Sequence, residues 1–432
     1  MGPSGCPRIE PRLNDEQLDQ DSVQKRTVRV LQQGVVPGGL AMGTSYSVAA
    51  LLGSELTGSD TLGALAAVGL SIGQSLAGIP VAALMARRGR RIGIGTAYAV
   101  GSIGATCALL AAVTETYALL VIGMTLCGCG QAGNLAARYA GSDLATDDNR
   151  ARSISLVVWA NTVGSVLGPT VGLGLRSLSS SSEGGSGFAL SYVVSITLFV
   201  VAAAGILRRL KPDPLLLVAD QNQTPIRGPK FSDLGLILSQ PAARVALLGM
   251  MLSQGVMVGV MTVTPLHMRD GNQDPLIIGL MISLHIIGMY AFSPWIGRIA
   301  DRISKELLIG IGAVITALGS EIASHTDAPD ATGHFVGLFM IGIGWCSSLV
   351  AGSALMTEAF PPEVRVATQS TADVLMTATG AAAGISSGLA VEQRSYHDLA
   401  HWAALVSVFL AVVAAVAVVQ NSRIRETGSQ PS

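Results

Sequence analysis

The sequence predicts an all-α membrane protein of twelve transmembrane helices, arranged as two pseudo-symmetric halves of six. Three observations carry this: a very low charge content, twelve apolar runs of membrane length, and a charge pattern that recurs at a fixed offset. Half of the 432 residues are hydrophobic and only 13% are charged, whereas a soluble domain carries about 25% charge. Mean hydropathy is +0.52. The 51 glycines suit helices that approach closely in lipid. A net charge of −1 gives no basic field for nucleic acid, and the expected partner is the bilayer. Cys6, Cys107, Cys127, Cys129 and Cys346 lie mostly in apolar runs and form no secreted disulfide pattern. The polar N-terminal stretch has no apolar core and is not read as a signal peptide.

The apolar runs fall at about 30–52, 62–85, 91–113, 117–138, 152–174, 188–208, 243–266, 277–298, 306–325, 333–353, 367–390 and 398–420. Each is long enough for ~30 Å of hydrocarbon. The expected organisation is a polar, disordered N-tail (1–29), a six-helix bundle (30–208), a linker (209–242), a second bundle (243–420) and a C-tail (421–432). With both termini inside, 24 Lys and Arg fall inside and only Arg176, Arg269 and Arg394 outside, which predicts cytoplasmic termini and a plasma (inner) membrane location.

The two bundles repeat. "LMARRGRR" (84–91) and "IADRISKE" (299–306) each follow the second helix of their half, with Ala86 matching Asp301 at an offset of 215. At the same offset, Asp143, Asp148 and Arg150 match Glu358, Glu363 and Arg365. Duplicated halves around a midplane site are a common build of secondary transporters. "GRIADRISK" (297–305) resembles the loop motif between the second and third helices of the major facilitator superfamily. "ALMARRGRR" resembles it too, with Ala86 in place of the acid, and "GSVLGPTVG" (164–172) resembles its fifth-helix motif. The resemblance spans about residues 30–420 and implies the major facilitator fold, working by alternating access as a secondary active transporter and as a monomer.

The candidate site residues lie in the seventh and eighth spans. Met257 and Met261 are four residues apart, as are Met281, His285 and Met289, so each set shares a helix face. At 1.5 Å per residue, Met257 and His285 both fall ~12–13 Å below the outer edge. Neutral thioethers and imidazole suit Cu(I). Methionine equally fills apolar helices, so a metal site and plain packing both remain open on residue types. The pattern is similar to the CcoA-like (CalT) copper transporters, which carry Met-x-x-x-Met and His-x-x-x-Met in these helices. That resemblance implies copper import toward cytochrome c oxidase assembly, with Met257, Met261, His285 and Met289 as ligands and copper as substrate, no resident cofactor being expected.

His267, Met268, Met281 and Met42 are candidate relay residues; interfacial or packing roles compete for each. Asp373 is a carboxylate inside the eleventh span, so it either carries protons or pairs with an arginine such as Arg138 or Arg150. Arg138, Asp143, Arg150, Asp301, Arg302, Glu358 and Arg365 read as an inner gate that holds one state and breaks when the halves rock. The alternatives to copper are proton-coupled transport of a small organic solute or drug, in which Asp373 and Arg138 outweigh the methionines, and a non-transporting copper sensor or assembly partner. Met124 stands where drug antiporters of the superfamily carry arginine, and 4% aromatic residues argue against stacked sugars. No side-chain set suggests an enzyme.

Overall fold

The computed structural model describes residues 15–178, 184–222, 225–230 and 232–428, all helix or connection, with no strand among them. Residues 1–14, including Cys6, and 429–432 of the C-tail lie outside the described residues. The first half comprises α1 (Asp15–Thr57), α2 (Asp60–Thr114), α3 (Tyr117–Ala140), α4 (Arg150–Leu178) and α5 (Ala189–Arg209). Two short helices follow, α6 (Pro214–Asn222) and α7 (Asp233–Ser239). The second half comprises α8 (Pro241–Asp270), α9 (Pro275–Tyr290), α10 (Ser293–Ala300), α11 (Lys305–Ser324), α12 (Ala331–Glu358), α13 (Pro362–Gln393) and α14 (Tyr396–Gly428).

Eleven described stretches are long and apolar enough to cross a membrane, and one of them supplies two crossings. A straight helix over Asp60–Thr114 would be about 80 Å long, against ~30 Å of hydrocarbon. Gly89 breaks it with φ 85°, a conformation that costs glycine little. The two arms fold back, because Tyr117, just past the end of the second arm, bonds Leu62 at the start of the first (2.8 Å). The expected twelfth crossing is thus hidden inside α2. The eighth crossing is made of α9 and α10, interrupted at Ala291–Phe292 just before Pro294, which has no amide hydrogen to continue the helix.

The N-terminal segment differs from the disordered tail expected through residue 29. From Asp15 it is helical and continuous with α1, because it has a face to bury. Gln24, Thr27, Val28, Val30 and Leu31 are buried, and Gln24 Nε2 donates to Gly141 O (2.7 Å) and Ser153 Oγ (3.2 Å). The expected linker also docks onto the chain. Asp213 accepts the backbone amides of Arg90 (3.2 Å) and Arg91 (2.8 Å), and Arg227 N donates to Glu363 O (2.7 Å).

Within the first half α1 packs on α4 and α2 on α3. Within the second, α11 packs on α12 and α14, and α8 on α13. The fifth-span motif works here: a Cβ on Gly164 would lie 2.6 Å from the Gly39 backbone, and one on Gly168 2.6 Å from Gly43. Small residues let these two backbones touch. The halves meet through α2 with α13 and through α4 with α9, α10 and α12.

Candidate functional site

A cavity of about 100 Å³ lies between the halves, about midway along the crossing helices. Its polar wall is built from carboxamides: Gln74, Gln131, Asn134, Asn161 and Gln254. Such groups sit in apolar helices only where they find partners or water. Here Tyr98 OH donates to Asn134 Oδ1 (2.7 Å) and Asn134 Nδ2 to Asn161 Oδ1 (2.6 Å). Trp345 Nε1 donates to Gln254 Oε1 (2.6 Å), and its ring meets Tyr290 edge-on at 5.6 Å. Met257, Met289 and Met376 complete the lining.

Arg138 on α3 also lines this cavity and crosses to the second half. It is 2% exposed and Asp373 on α13 is 9% exposed. Arg138 Nη2 donates to Asp373 Oδ1, and Nη1 to Oδ2 at 3.3 Å. Tyr139 OH adds a longer contact to the same carboxylate (3.4 Å). Arg138 Nε donates to Ser353 Oγ (2.9 Å). Ser353 is the residue at offset 215 from Arg138, so the bond lies on the pseudo-two-fold axis. A buried, two-pronged arginine–carboxylate pair between rocking halves can be broken by protonating the acid or by an anion competing for the arginine.

Further polar contacts between the halves gather on the side of the Lys- and Arg-rich loops. Arg90 is 1% exposed. It donates to Asp143 through Nε (2.9 Å) and Nη2 (3.1 Å), and across the interface to Gln369 Oε1 (2.9 Å). Its image at offset 215, Lys305, pairs with the image of Asp143, Glu358 (3.1 Å). Glu358 also lies 3.7 Å from Arg150 of the other half. Asp301 crosses over to cap α4, accepting Ala151 N (2.9 Å) and Arg152 N (3.0 Å). Burial holds its carboxyl above the ordinary range; these amides pull the other way.

Two expected gate residues behave differently. Arg302 is exposed, because both oxygens of neighbouring Asp301 are taken by backbone amides. Arg365 stays within its own half, donating to Phe360 O (2.8 Å) and Thr357 O (3.0 Å). Asp373 takes the Arg138 partnership rather than one with Arg150, which bonds Asp147 (2.5 Å).

The expected facing of Met257 and His285 does not occur. Met257 and Met289 line the cavity, but His285 is fully buried against α12, its Nδ1 on Leu338 O at 2.6 Å. The cause is helical drift. Four residues turn about 400°, so successive i+4 positions rotate by ~40°. From Met281 to Met289 that is ~80°, enough to turn one residue into the cavity and leave Met281 buried behind it. Met261 is half-buried and not part of the cavity wall, and Met42 and Met268 are buried in the packing. His267 belongs to a separate aromatic cluster at the far end of α8.

The Major Facilitator Superfamily profile matches residues 35–271 and 246–430. The chain belongs to this superfamily. It is 31% identical over 402 residues to the MFS-type transporter YddS of Bacillus subtilis, covering 92% of each chain. It is 25% identical over 398 residues to the riboflavin transporter RfnT of Brucella anthropi, covering 90% of this chain and 94% of that one. The structure resembles the human organic anion transporter MFSD10 (TM-score 0.72, 13% identity, 90% and 99% covered). It also resembles the Escherichia coli fucose:proton symporter FucP (TM-score 0.69, 12% identity, 90% and 98% covered). At such identities these two structures show the fold alone. The protein is a multi-pass membrane transporter and not an enzyme.

Several residues of the cavity wall and of the contacts between the halves escape a reading of the sequence by motif alone. Arg90 and Ser353 were legible in principle, as the images of Lys305 and Arg138 at offset 215. The carboxamides carried a signal too, as polar groups inside apolar runs. Met376 carried none, since a single methionine in a helix says nothing of which face it lines.

Proposed function

We propose that this facilitator moves a small polar organic solute by alternating access, coupled to protons through Asp373. The observation that carries the proposal is the buried Arg138–Asp373 pair, which joins the two halves at the wall of a carboxamide-lined cavity. Protonation of Asp373 releases Arg138, and the freed guanidinium and carboxamides then hold the solute while the halves part on the basic side. The cavity of about 100 Å³ is below the ~300 Å³ of an ordinary ligand site, so solute entry goes with widening between the halves. The 25% identity to a protein named a riboflavin transporter, together with Trp345 and Tyr290 beside the amides, favours a planar, hydrogen-bonding solute. The excess of Lys and Arg on one side favours placing that side and both termini in the cytoplasm, with the protein in the plasma membrane. The working unit is the monomer, since one chain supplies the whole cavity.

The test uses the purified full chain in proteoliposomes with radiolabelled riboflavin as probe. A pH gradient drives accumulation in the wild type. Asp373→Asn loses accumulation and keeps solute counterflow, because exchange needs no net proton movement. Equal gradient-driven accumulation in Asp373→Asn removes the coupling role. A wild type with neither accumulation nor counterflow removes the planar-solute class.

A second reading rests on a different feature of the same cavity. Met257, Met289 and Met376 bring three thioethers from three helices to it, a donor set that suits Cu(I). In that reading copper is the cargo, imported toward cytochrome c oxidase assembly, and His285 joins only if its ring leaves Leu338 O. Reductant-stabilised copper uptake abolished by Met257→Ala and by Met376→Ala, with riboflavin counterflow absent, selects copper over the organic solute.

A further inference from the structure

Five of the chain's six histidines sit in the second half at the end away from the basic loops, and two of them, His334 and His397, lie beside a third, His267. His267 closes α8, His334 opens α12 and His397 opens α14. The His267 ring lies 5.4 Å from that of His334 and 5.3 Å from that of His397, and stacks on Tyr396 at 4.1 Å. His334 Nδ1 lies 2.6 Å from Asp330 O, and His397 Nδ1 2.7 Å from Ser324 O. A carbonyl oxygen only accepts, so each Nδ1 carries the proton and each Nε2 keeps its lone pair. His334 is fully buried, and its Nε2, like that of His267, is buried without a hydrogen-bond partner. Bare buried lone pairs cost stability unless something occupies them.

We propose that His267, His334 and His397 form a site for a divalent transition-metal ion such as Zn²⁺. Backbone carbonyls fixing Nδ1–H and leaving Nε2 to the ion are the usual support of metal-binding histidines. With bonds of about 2.0–2.1 Å to a tetrahedral ion, two imidazoles have ring centres about 5 Å apart, close to the two spacings that His267 makes here. Among the described residues no three ligand side chains already enclose a point where an ion would sit, so binding draws the three nitrogens together. Neutral imidazoles select ions of the zinc, copper and nickel type over Mg²⁺ and Ca²⁺. The bound ion ties the ends of α8, α12 and α14 at the face opposite the basic loops. The site is independent of which solute is carried, since none of its residues lines the central cavity.

The test is Zn²⁺ titration of the full chain in detergent micelles, by calorimetry and by thermal unfolding, with Mg²⁺ as the control ion. The expected result is one saturable Zn²⁺ site that raises the unfolding temperature, with no response to Mg²⁺. His334→Ala and His397→Ala each weaken binding at least tenfold, a loss no smaller than that from removing a supporting group. His397 is half-buried, so His397→Ala decides the matter even where His334→Ala folds poorly. An exposed second group, His401 and His325 beside Glu321 (3.0 and 3.6 Å), is the competing location. Zn²⁺ binding that survives His397→Ala and vanishes in His325→Ala/His401→Ala overturns the proposal, as does the absence of saturable binding in the wild type.

Discussion

Replacing Asp373 by Asn leaves the Arg138 guanidinium buried without a counter-charge. Its other partners, Ser353 Oγ, Leu135 O and Tyr139 OH, accept hydrogen bonds and neutralise nothing. Breaking a buried ion pair by removing one member costs about 3–5 kcal/mol. The pair spans the two halves, so the cost falls on the state in which they are joined on the basic side. In the parted state water reaches Arg138 and most of the cost disappears. A bias of about 3 kcal/mol moves such an equilibrium on the order of 100-fold. The assay is an electron spin distance measurement between labels placed at Arg88 and Arg302, both exposed and in opposite halves on the basic side. The wild type is expected to show mainly the short distance, and Asp373→Asn mainly a longer one. Arg138→Met/Asp373→Asn removes both buried charges and returns the short distance, because loss of a whole buried pair is close to neutral. A single variant with the wild-type distribution refutes the reasoning, as does a double variant as displaced as the single.

Three further outcomes follow from the same geometry. Asp301→Ala removes the carboxylate that caps α4; at about 0.5–2 kcal/mol for a lost cap, the longer distance in the same measurement gains roughly 2- to 30-fold, less than for Asp373→Asn. Gly89→Ala forces a side chain onto φ 85° and puts Cβ 2.3 Å from Asp213 Oδ2; thermal unfolding should show a loss of at least about 1–3 kcal/mol, whereas Gly228→Ala, whose nearest neighbour is 3.9 Å away, is silent. Trp345→Phe keeps a ring but leaves Gln254 Oε1 without its donor, and at about 1–3 kcal/mol for an orphaned group the KM for the riboflavin probe rises roughly tenfold with protein levels unchanged.

What could be read from the residues was set by whether the signal is local. Apolar runs are local, so all twelve crossings are plain, including the two that Gly89 separates within Asp60–Thr114. Charges inside apolar runs are equally plain, and Arg138 and Asp373 both stood out. Their partnership could be named only as one choice beside Arg150, because 235 residues separate them and only packing brings α3 against α13. The methionine–histidine pattern misled for a physical reason. An i, i+4 series shares a face only over a turn or two, and across Met281, His285 and Met289 the drift is enough to split the set between the cavity and α12. The N-terminal stem misled for the opposite reason: its polar composition hid a buried stripe that only α4 and its preceding loop make useful.

The departure at Ala86 shows how the repeat constrains the gate. In the second half the acid of the loop motif, Asp301, caps the start of α4 in the first half. The image of that contact would run from residue 86 to the start of α13, at residues 366 and 367. Ala86 has no acceptor to offer, and α13 opens on Pro361 and Pro362 without a side-chain cap. The first half instead sends Arg90 across to Gln369, one turn deeper into α13, with Asp143 holding the guanidinium from behind. One latch is therefore an anion on backbone amides and the other a cation on a neutral amide. The second depends on Asp143 being in place to neutralise a buried arginine, and it lies closer along α13 to Asp373. Under the coupling proposed above, a proton arriving at Asp373 acts nearest the Arg90–Gln369 contact rather than the Asp301 cap.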